Sequence, residues 1–273
     1  IIIAVYVITN ALLFGFAYKY VKKPGVPAFF YPHNNKLEMI WTVVPALVLA
    51  VIIILGLKSW NDATSEAVPE SIRVELFSQQ FEWTARYSGN DNTLGKFDYK
   101  LTADNNGLAI LTTNTIDSAI FYMENGPIGI HTLEAKLNDT KTIMVPEERA
   151  KMMEDLSRKN RLIRLLYQMR QRHDPKLDAQ AWDDIVLKDT LYLCKGKEFE
   201  FNFRSKDVIH SAYFPNFRAQ MNTVPGMTTR FKFIPDLTTE EMRVKKRNKK
   251  FNFVLLCNKI CGAAHYKMDM IVV

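Results

Sequence analysis

The chain has 273 residues, 48% of them apolar, and a formal net charge of +7. That length supports one or two domains with a real core. The charge suits nucleic acid, a membrane surface or an acidic protein, and does not choose among them. Only three cysteines are present, Cys194, Cys257 and Cys261. An odd count with two thiols four apart excludes a disulfide framework and points to a metal or redox site.

Residues 1–17 form an almost unbroken apolar run, and 39–57 form a second. Each is near the ~20 residues that cross a bilayer as a helix. Spans over about 1–18 and 39–58 are predicted, making 1–60 a transmembrane hairpin. The chain opens inside the first run with no Met, so that span is expected to be clipped and a preceding segment to be missing. A buried core helix is the competing reading. It is disfavoured because nothing polar interrupts 46–57. Pro45 bends the second span without forbidding it. The connecting loop carries Lys19, Lys22, Lys23 and Lys36 with no acid before Glu38. Positive loops stay in the cytoplasm, so both chain ends are expected on the outer face. Trp41 and Trp60 stand where interfacial aromatics belong.

After Trp60 the chain turns polar, and short segments then alternate apolar and polar residues. Strands are predicted over 72–76, 185–193, 199–203, 229–234 and 251–256, as in a β-sandwich or Greek-key barrel. Cys194 reads as an ordinary strand residue. Residues 146–173 break the pattern. Pro146 in the first turn with Glu147 and Glu148 at the positive end of the dipole predicts a long helix. Its apolar stripe is Leu156, Leu162, Ile163, Leu165, Leu166 and Met169. Arg158, Lys159, Arg161, Arg164, Arg170 and Arg172 crowd the remainder. One reading is an amphipathic helix packed on the sandwich with a solvated basic face. The other is a docking element for a partner or an anionic lipid.

The chemistry concentrates in His210 and the run Cys257-Asn-Lys-Ile-Cys261-Gly-Ala-Ala-His265-Tyr-Lys-Met268. Two thiolates, two imidazoles and a thioether form a soft donor set that suits copper shuttling between Cu(I) and Cu(II). A structural zinc site gains little from Met268. A mononuclear blue-copper site leaves one thiol unused. A c-type haem needs C-x-x-C-H, which the chain lacks. A Cys257–Cys261 disulfide leaves His265 and Met268 without a role. Two coppers bridged by two thiolates account for every donor. A shared electron spreads the charge change over both metals and keeps reorganisation small.

These features resemble subunit II of cytochrome c oxidases. The resemblance covers the two-helix hairpin, the Leu37–Pro45 entry to the second helix, the Gln80-Phe81-Glu-Trp83 strand, the Asp207–Ser211 segment, Val224-Pro225-Gly226 and the Cys257–Met268 loop. It implies a fold of a transmembrane two-helix hairpin plus an all-β, cupredoxin-like Greek-key domain over 61–273. Residues of about 108–183, which include the basic helix, form an insertion beyond what a minimal cupredoxin domain needs. The resemblance implies a dinuclear copper centre (CuA) that takes electrons from cytochrome c and passes them to haem a in subunit I, where dioxygen is reduced and protons are pumped. It assigns Cys257 and Cys261 as bridging thiolates. His210 and Met268 would ligate one copper, His265 and the Lys259 carbonyl the other. Glu38 matches the acid at the mouth of a proton path, and a helix N-terminal acid favoured by the dipole is the plainer reading of it.

Three departures stand out. Lys259 replaces the usual Glu and cannot supply the carboxylate of the interface magnesium site, so a magnesium of the usual kind is not expected. Phe81 replaces the electron-entry Trp, with Trp83 retained two residues on. The third is the insertion. The basic run Arg243–Lys250, Lys259 and Lys267 lie close to the copper loop in sequence, so an acidic donor or a membrane-bound cytochrome is expected. Together these features are similar to oxidases of bacteria that use an alternative quinol–cytochrome c complex. The expected location is the bacterial inner membrane with the copper domain on the periplasmic face. Expected partners are subunit I, other oxidase subunits and the bilayer, and no nucleic acid. A copper module of a nitrous oxide reductase-like assembly is the alternative. The hairpin with Glu38 argues against it, and the full ligand set argues against a quinol oxidase subunit.

Overall fold

The structure is a computed structural model that describes residues 2–27, 31–139 and 144–273. The chain divides into two compact units, Ile1–Ser59 and Trp60–Val273. The first unit contains helix α1 (Ile2–Lys19) and most of helix α2 (Asn35–Thr64). Ile1, where the first predicted span begins, lies outside the described residues. At about 1.5 Å per residue the helices are about 27 and 45 Å long. Neither has a buried residue. Helices this apolar on every face are built for lipid. Asn34 sets the start of α2, because its Oδ1 accepts from the Leu37 N–H at 3.0 Å. Glu38 then falls in the first turn, and Pro45 is accommodated inside the helix.

The second unit is a sandwich of two five-stranded sheets. Its strands are β1 (Ile72–Gln79), β2 (Glu82–Tyr87), β3 (Ile185–Leu187), β4 (Thr190–Leu191), β5 (Phe199–Ser205), β6 (His210–Phe214), β7 (Ala219–Thr223), β8 (Thr229–Phe233), β9 (Phe253–Cys257) and β10 (Asp269–Val272). One sheet runs β3-β2-β1-β5-β8, the other β4-β10-β9-β6-β7. Both are mixed: β1 pairs parallel with β5, and β10 parallel with β4. The two-residue period seen in the sequence has its cause here. Phe199, Phe201 and Phe203 of β5 all point into the core, where they meet Ala212, Phe214, Leu255, Met270 and Val272 of the facing sheet. Phe201 is the hub, with ring centroids 5.1–6.1 Å from Phe199, Phe203, Phe214, Phe231 and Phe233.

Three expectations are corrected. The strand predicted over 185–193 is two strands in different sheets, because the chain crosses the edge of the sandwich at Lys188–Asp189. Cys194 follows β4 in an exposed connection, not a strand. The basic helix, α5 (Pro146–Arg172), does not pack on the sandwich. It packs on α3 (Thr113–Asn125) and α4 (Ile130–Asn138), neither of which was anticipated. Ile163 and Leu166 of α5 join Leu101, Ile116, Ile120 and Ile130 in a second small core, while Leu165 of the predicted stripe stays exposed. A short helix, α6 (Ala179–Trp182), returns the chain to β3. Residues 140–143 of the expected insertion lie outside the described residues.

An ionic network fastens this helical segment to the outer face of the first sheet. Glu75 of β1, 2% exposed, binds Arg86 of β2 at 2.6 Å and Arg204 of β5 at 2.7 Å. Arg86 also reaches Asp184 at 2.8 Å and the Gly95 carbonyl at 3.0 Å. Arg204 reaches the Leu108 carbonyl at 2.8 Å and lies over the Phe97 ring. Burial pushes the Glu75 carboxyl up, but the two guanidinium groups outweigh burial and hold it below its ordinary value. Two acids and two bases balance, which is the condition for burying them.

Candidate metal centre

The site forms where three strand ends of one sheet meet. His210 opens β6, Cys257 closes β9, and β10 begins just after Met268. Ala212 pairs with Cys257 across β6 and β9, which brings His210 to the start of the loop. The loop is closed by its own backbone. The Cys257 N–H donates to the Met268 carbonyl at 3.1 Å, and the Asn258 N–H to the Ser211 carbonyl at 3.0 Å.

The predicted donors converge. The Cys257 and Cys261 sulfurs are 3.9 Å apart. His210 Nδ1 is 3.9 Å from Cys257 Sγ, and the Lys259 carbonyl oxygen is 3.3 Å from it. His265 Nδ1 is 3.5 Å and Met268 Sδ 3.9 Å from Cys261 Sγ. The ligand atoms of His210, Cys257 and Cys261 all lie within 4.8 Å of one another, the only such His, Cys and carboxylate group among the described residues. A disulfide needs about 2.05 Å between sulfurs, so this pair is two thiols. A metal–thiolate bond is about 2.3 Å long, so an ion can bridge sulfurs at this spacing. Burial, then the neighbouring Cys257 sulfur, pushes the Cys261 thiol up to about 11. A bound cation reverses that balance by favouring the thiolate. Met268 is 2% exposed with its sulfur turned to Cys261. That thioether distinguishes the set from one suited to zinc and completes one suited to copper.

Asp207 and Gln80 organise the ring and the loop. Asp207 Oδ1 lies 2.9 Å from His210 Nε2, leaving Nδ1 to face the thiolates. Partial burial pushes the Asp207 carboxyl up. The N–H groups of Gln80 and Val208, with the His210 ring, outweigh this and hold it below its ordinary value. The side chain of Gln80, at the tip of the β1–β2 hairpin, donates to the Cys261 carbonyl at 2.5 Å. The Asp207–Ser211 segment stands out in the sequence as the holder of His210, but the contacts of the Asp207 carboxylate, Gln80 and Gly262 do not. The available signals were an acid three residues before a histidine and a glycine directly after a ligand cysteine.

The two aromatic candidates for electron entry are placed differently. Trp83 is 1% exposed and lies in the core, its ring 6.3 Å from that of His210 in an edge-on contact. Phe81 is half-buried in the hairpin tip above Gly262. Glu38 lies in the other unit. The basic run is not beside the loop. Arg243 and Lys245 belong to helix α7 (Thr239–Lys245), and Lys246–Lys250 lie in the turn before β9. Both precede Phe253, which is about 13 Å along the strand from Cys257. Lys246 donates to Asn216 in the β6–β7 turn, at that far end. The exposed lysines at the copper end are Lys206, Lys259 and Lys267.

A β-sandwich with a thiolate–imidazole–thioether pocket between strand ends, on a chain with two lipid-type helices, defines a membrane-anchored, cupredoxin-like protein. Residues 1–59 match the family model described as the transmembrane domain of cytochrome C oxidase subunit II. The alternative cytochrome c oxidase subunit 2 of Bradyrhizobium diazoefficiens is 28% identical over 96% of this chain and 68% of its own length. Cytochrome c oxidase subunit 2 of Thermostichus vulcanus is 30% identical over 32% of this chain and 22% of its own. Among solved structures, the periplasmic domain of subunit II of cytochrome oxidase from Bradyrhizobium japonicum matches 76% of this chain and 86% of its own, with 13% identity and a TM-score of 0.33. Residues 1–59 thus match the transmembrane domain of the cytochrome c oxidase subunit II family, and the chain is similar over nearly its whole length to subunit 2 of an oxidoreductase, a family that implies further oxidase subunits as partners.

Proposed function

We propose that this chain is the electron-input subunit of a proton-pumping cytochrome c oxidase, with a dinuclear copper centre as its cofactor. The observation that carries the proposal is the pair of thiols 3.9 Å apart with an imidazole beside each. Cys257 and Cys261 would bridge the metals, with His210, His265, Met268 and the Lys259 carbonyl as terminal donors. Bound copper would supply one-electron redox chemistry. The protein residues hold the donors still: Asp207 fixes the His210 ring, and the β9–β10 loop holds both sulfurs. A fixed donor set leaves little to reorganise when an electron arrives.

On this reading residues 1–60 anchor the subunit in the bacterial inner membrane and 61–273 form the outer-face domain. Electrons come from a cytochrome c, and haem a in subunit I receives them. The exposed apolar residues at the copper end (Ile209, Met227, Ile260 and Tyr266) with Lys206, Lys259 and Lys267 around them suit a donor with an acidic rim, including a membrane-bound cytochrome served by an alternative quinol–cytochrome c complex. Phe81, half-buried over the thiolate loop, is the better placed aromatic for electron entry. Lys259 supplies a carbonyl and no carboxylate, so no magnesium of the usual kind is assigned. Glu38 serves as the entry to a proton path.

Metal analysis and electron paramagnetic resonance of the purified full-length chain test the proposal. Two coppers per chain and the hyperfine pattern of one electron shared by two copper nuclei are expected. Cys261→Ser abolishes that pattern while the chain still inserts in the membrane. One zinc, or a single localised copper, overturns the proposal.

A further inference from the structure

We infer that Gln80 is a positioning residue for the metal centre, clamping the thiolate loop to the strand that carries His210. The inference rests on the copper reading above and deepens it. The donors all come from one sheet, whereas Gln80 comes from the other, at the two-residue tip joining β1 to β2. Its side-chain amide donates to the Cys261 carbonyl at 2.5 Å. Its backbone N–H donates to Asp207 Oδ2 at 2.7 Å, and Asp207 Oδ1 holds His210. One residue therefore touches a bridging cysteine on one side and, through a single carboxylate, a terminal histidine on the other.

The fit of the tip to the loop supports the same role. Gly262 has φ +143°, and a Cβ there would come within 2.8 Å of Gln80 Nε2 and 2.9 Å of Phe81 Cζ. The glycine lets the hairpin tip close directly on the peptide that follows Cys261. Two residues back on β1, Ser78 Oγ lies 2.6 Å from Thr223 Oγ1, and Thr223 pairs with His210. The two sheets are thus tied at two successive levels behind the donors. The loop would otherwise be held only by the sheet that presents it, and its cysteine sulfurs would be free to follow loop motion.

The test compares the full-length, copper-loaded chain with Gln80→Leu, Gln80→Glu and the neighbouring control Gln79→Leu, whose side chain binds Glu82 and not the loop. The readouts are the hyperfine pattern, copper loss to a chelator and amide exchange over 258–268. Gln80→Leu is expected to lose copper about fivefold faster, the value of one hydrogen bond, with an altered hyperfine pattern and faster exchange in the loop. Gln80→Glu is isosteric and sets a carboxylate against the Cys261 carbonyl. It is expected to exceed the Leu variant in copper loss and to lower the reduction potential, and it keeps the test in hand if the Leu variant does not fold. Gln79→Leu is expected to match the parent chain. Gln80 variants that match the parent, or a Gln79→Leu effect of equal size, overturn the inference. If the parent chain binds no copper pair, the functional reading fails, and loop exchange in the same variants still decides the clamp.

Discussion

Glu75→Ala is expected to be among the most damaging single changes in the sandwich that leaves every metal donor in place. Glu75 is 2% exposed and accepts three hydrogen bonds, one from Arg86 at 2.6 Å and two from Arg204 at 2.7 and 3.0 Å. Its removal leaves Arg86, 1% exposed, with Asp184 and the Gly95 carbonyl, and leaves Arg204, 7% exposed, with the Leu108 carbonyl and an aromatic face. Breaking a buried pair from one side costs about 3–5 kcal/mol. At about 2–4 °C per kcal/mol for a unit of this size, the melting temperature falls by roughly 6–20 °C. Thermal unfolding followed by circular dichroism measures it. The sign with pH follows from the depressed carboxyl. The folded state holds Glu75 below its ordinary value of 4.5, so its contribution is complete above pH 4.5 and disappears as pH falls through the lower folded value. Glu75→Gln therefore flattens the acid limb of the stability curve. A melting shift under about 2 °C in the Ala variant, or an unchanged acid limb in the Gln variant, refutes the reasoning.

Three further outcomes are expected. Asp207→Asn weakens the hold on the His210 ring and lowers copper affinity by about 10- to 100-fold, measured by chelator competition; unchanged affinity would show that the ring needs no carboxylate. Glu38→Gln slows dioxygen consumption by the assembled oxidase and leaves the copper spectrum as it was, and a changed spectrum would remove Glu38 from the proton path. At low salt, an acidic cytochrome c is oxidised faster than a basic one, with the difference fading as salt rises; the reverse order would sink the reading of the copper-end lysines.

Residue chemistry made part of the site legible. Cys257, Cys261, His265 and Met268 stand out because a soft metal needs those atom types at spacings a single loop can present, and His210 because the set needs a second imidazole. The apolar runs of α1 and α2 stand out because a bilayer imposes their length and composition. The strand at 185–193 misled because apolar alternation marks a strand but not the sheet it joins. Helices α3 and α4 went unseen because their apolar faces are short and pack in a small separate core with α5, Leu101 and Leu111.

The sequence by itself determined the membrane-type helices, the sandwich class and the donor atoms, since each follows from local periodicity or from the residue types a soft metal requires. Tertiary structure decided what is non-local. It carried the basic run to the far end of β9, although it precedes the thiolate loop by only a few residues. It drew Trp83 inside beneath His210 and left Phe81 half-buried in the hairpin tip. It joined Glu75, Arg86, Asp184 and Arg204 across more than a hundred residues of chain. It also closed Gln80 onto Asp207, Cys261 and Gly262. Such contacts depend on which strands are neighbours, and strand neighbours are set by the packing of two sheets around Phe201, information that no local stretch of residues holds.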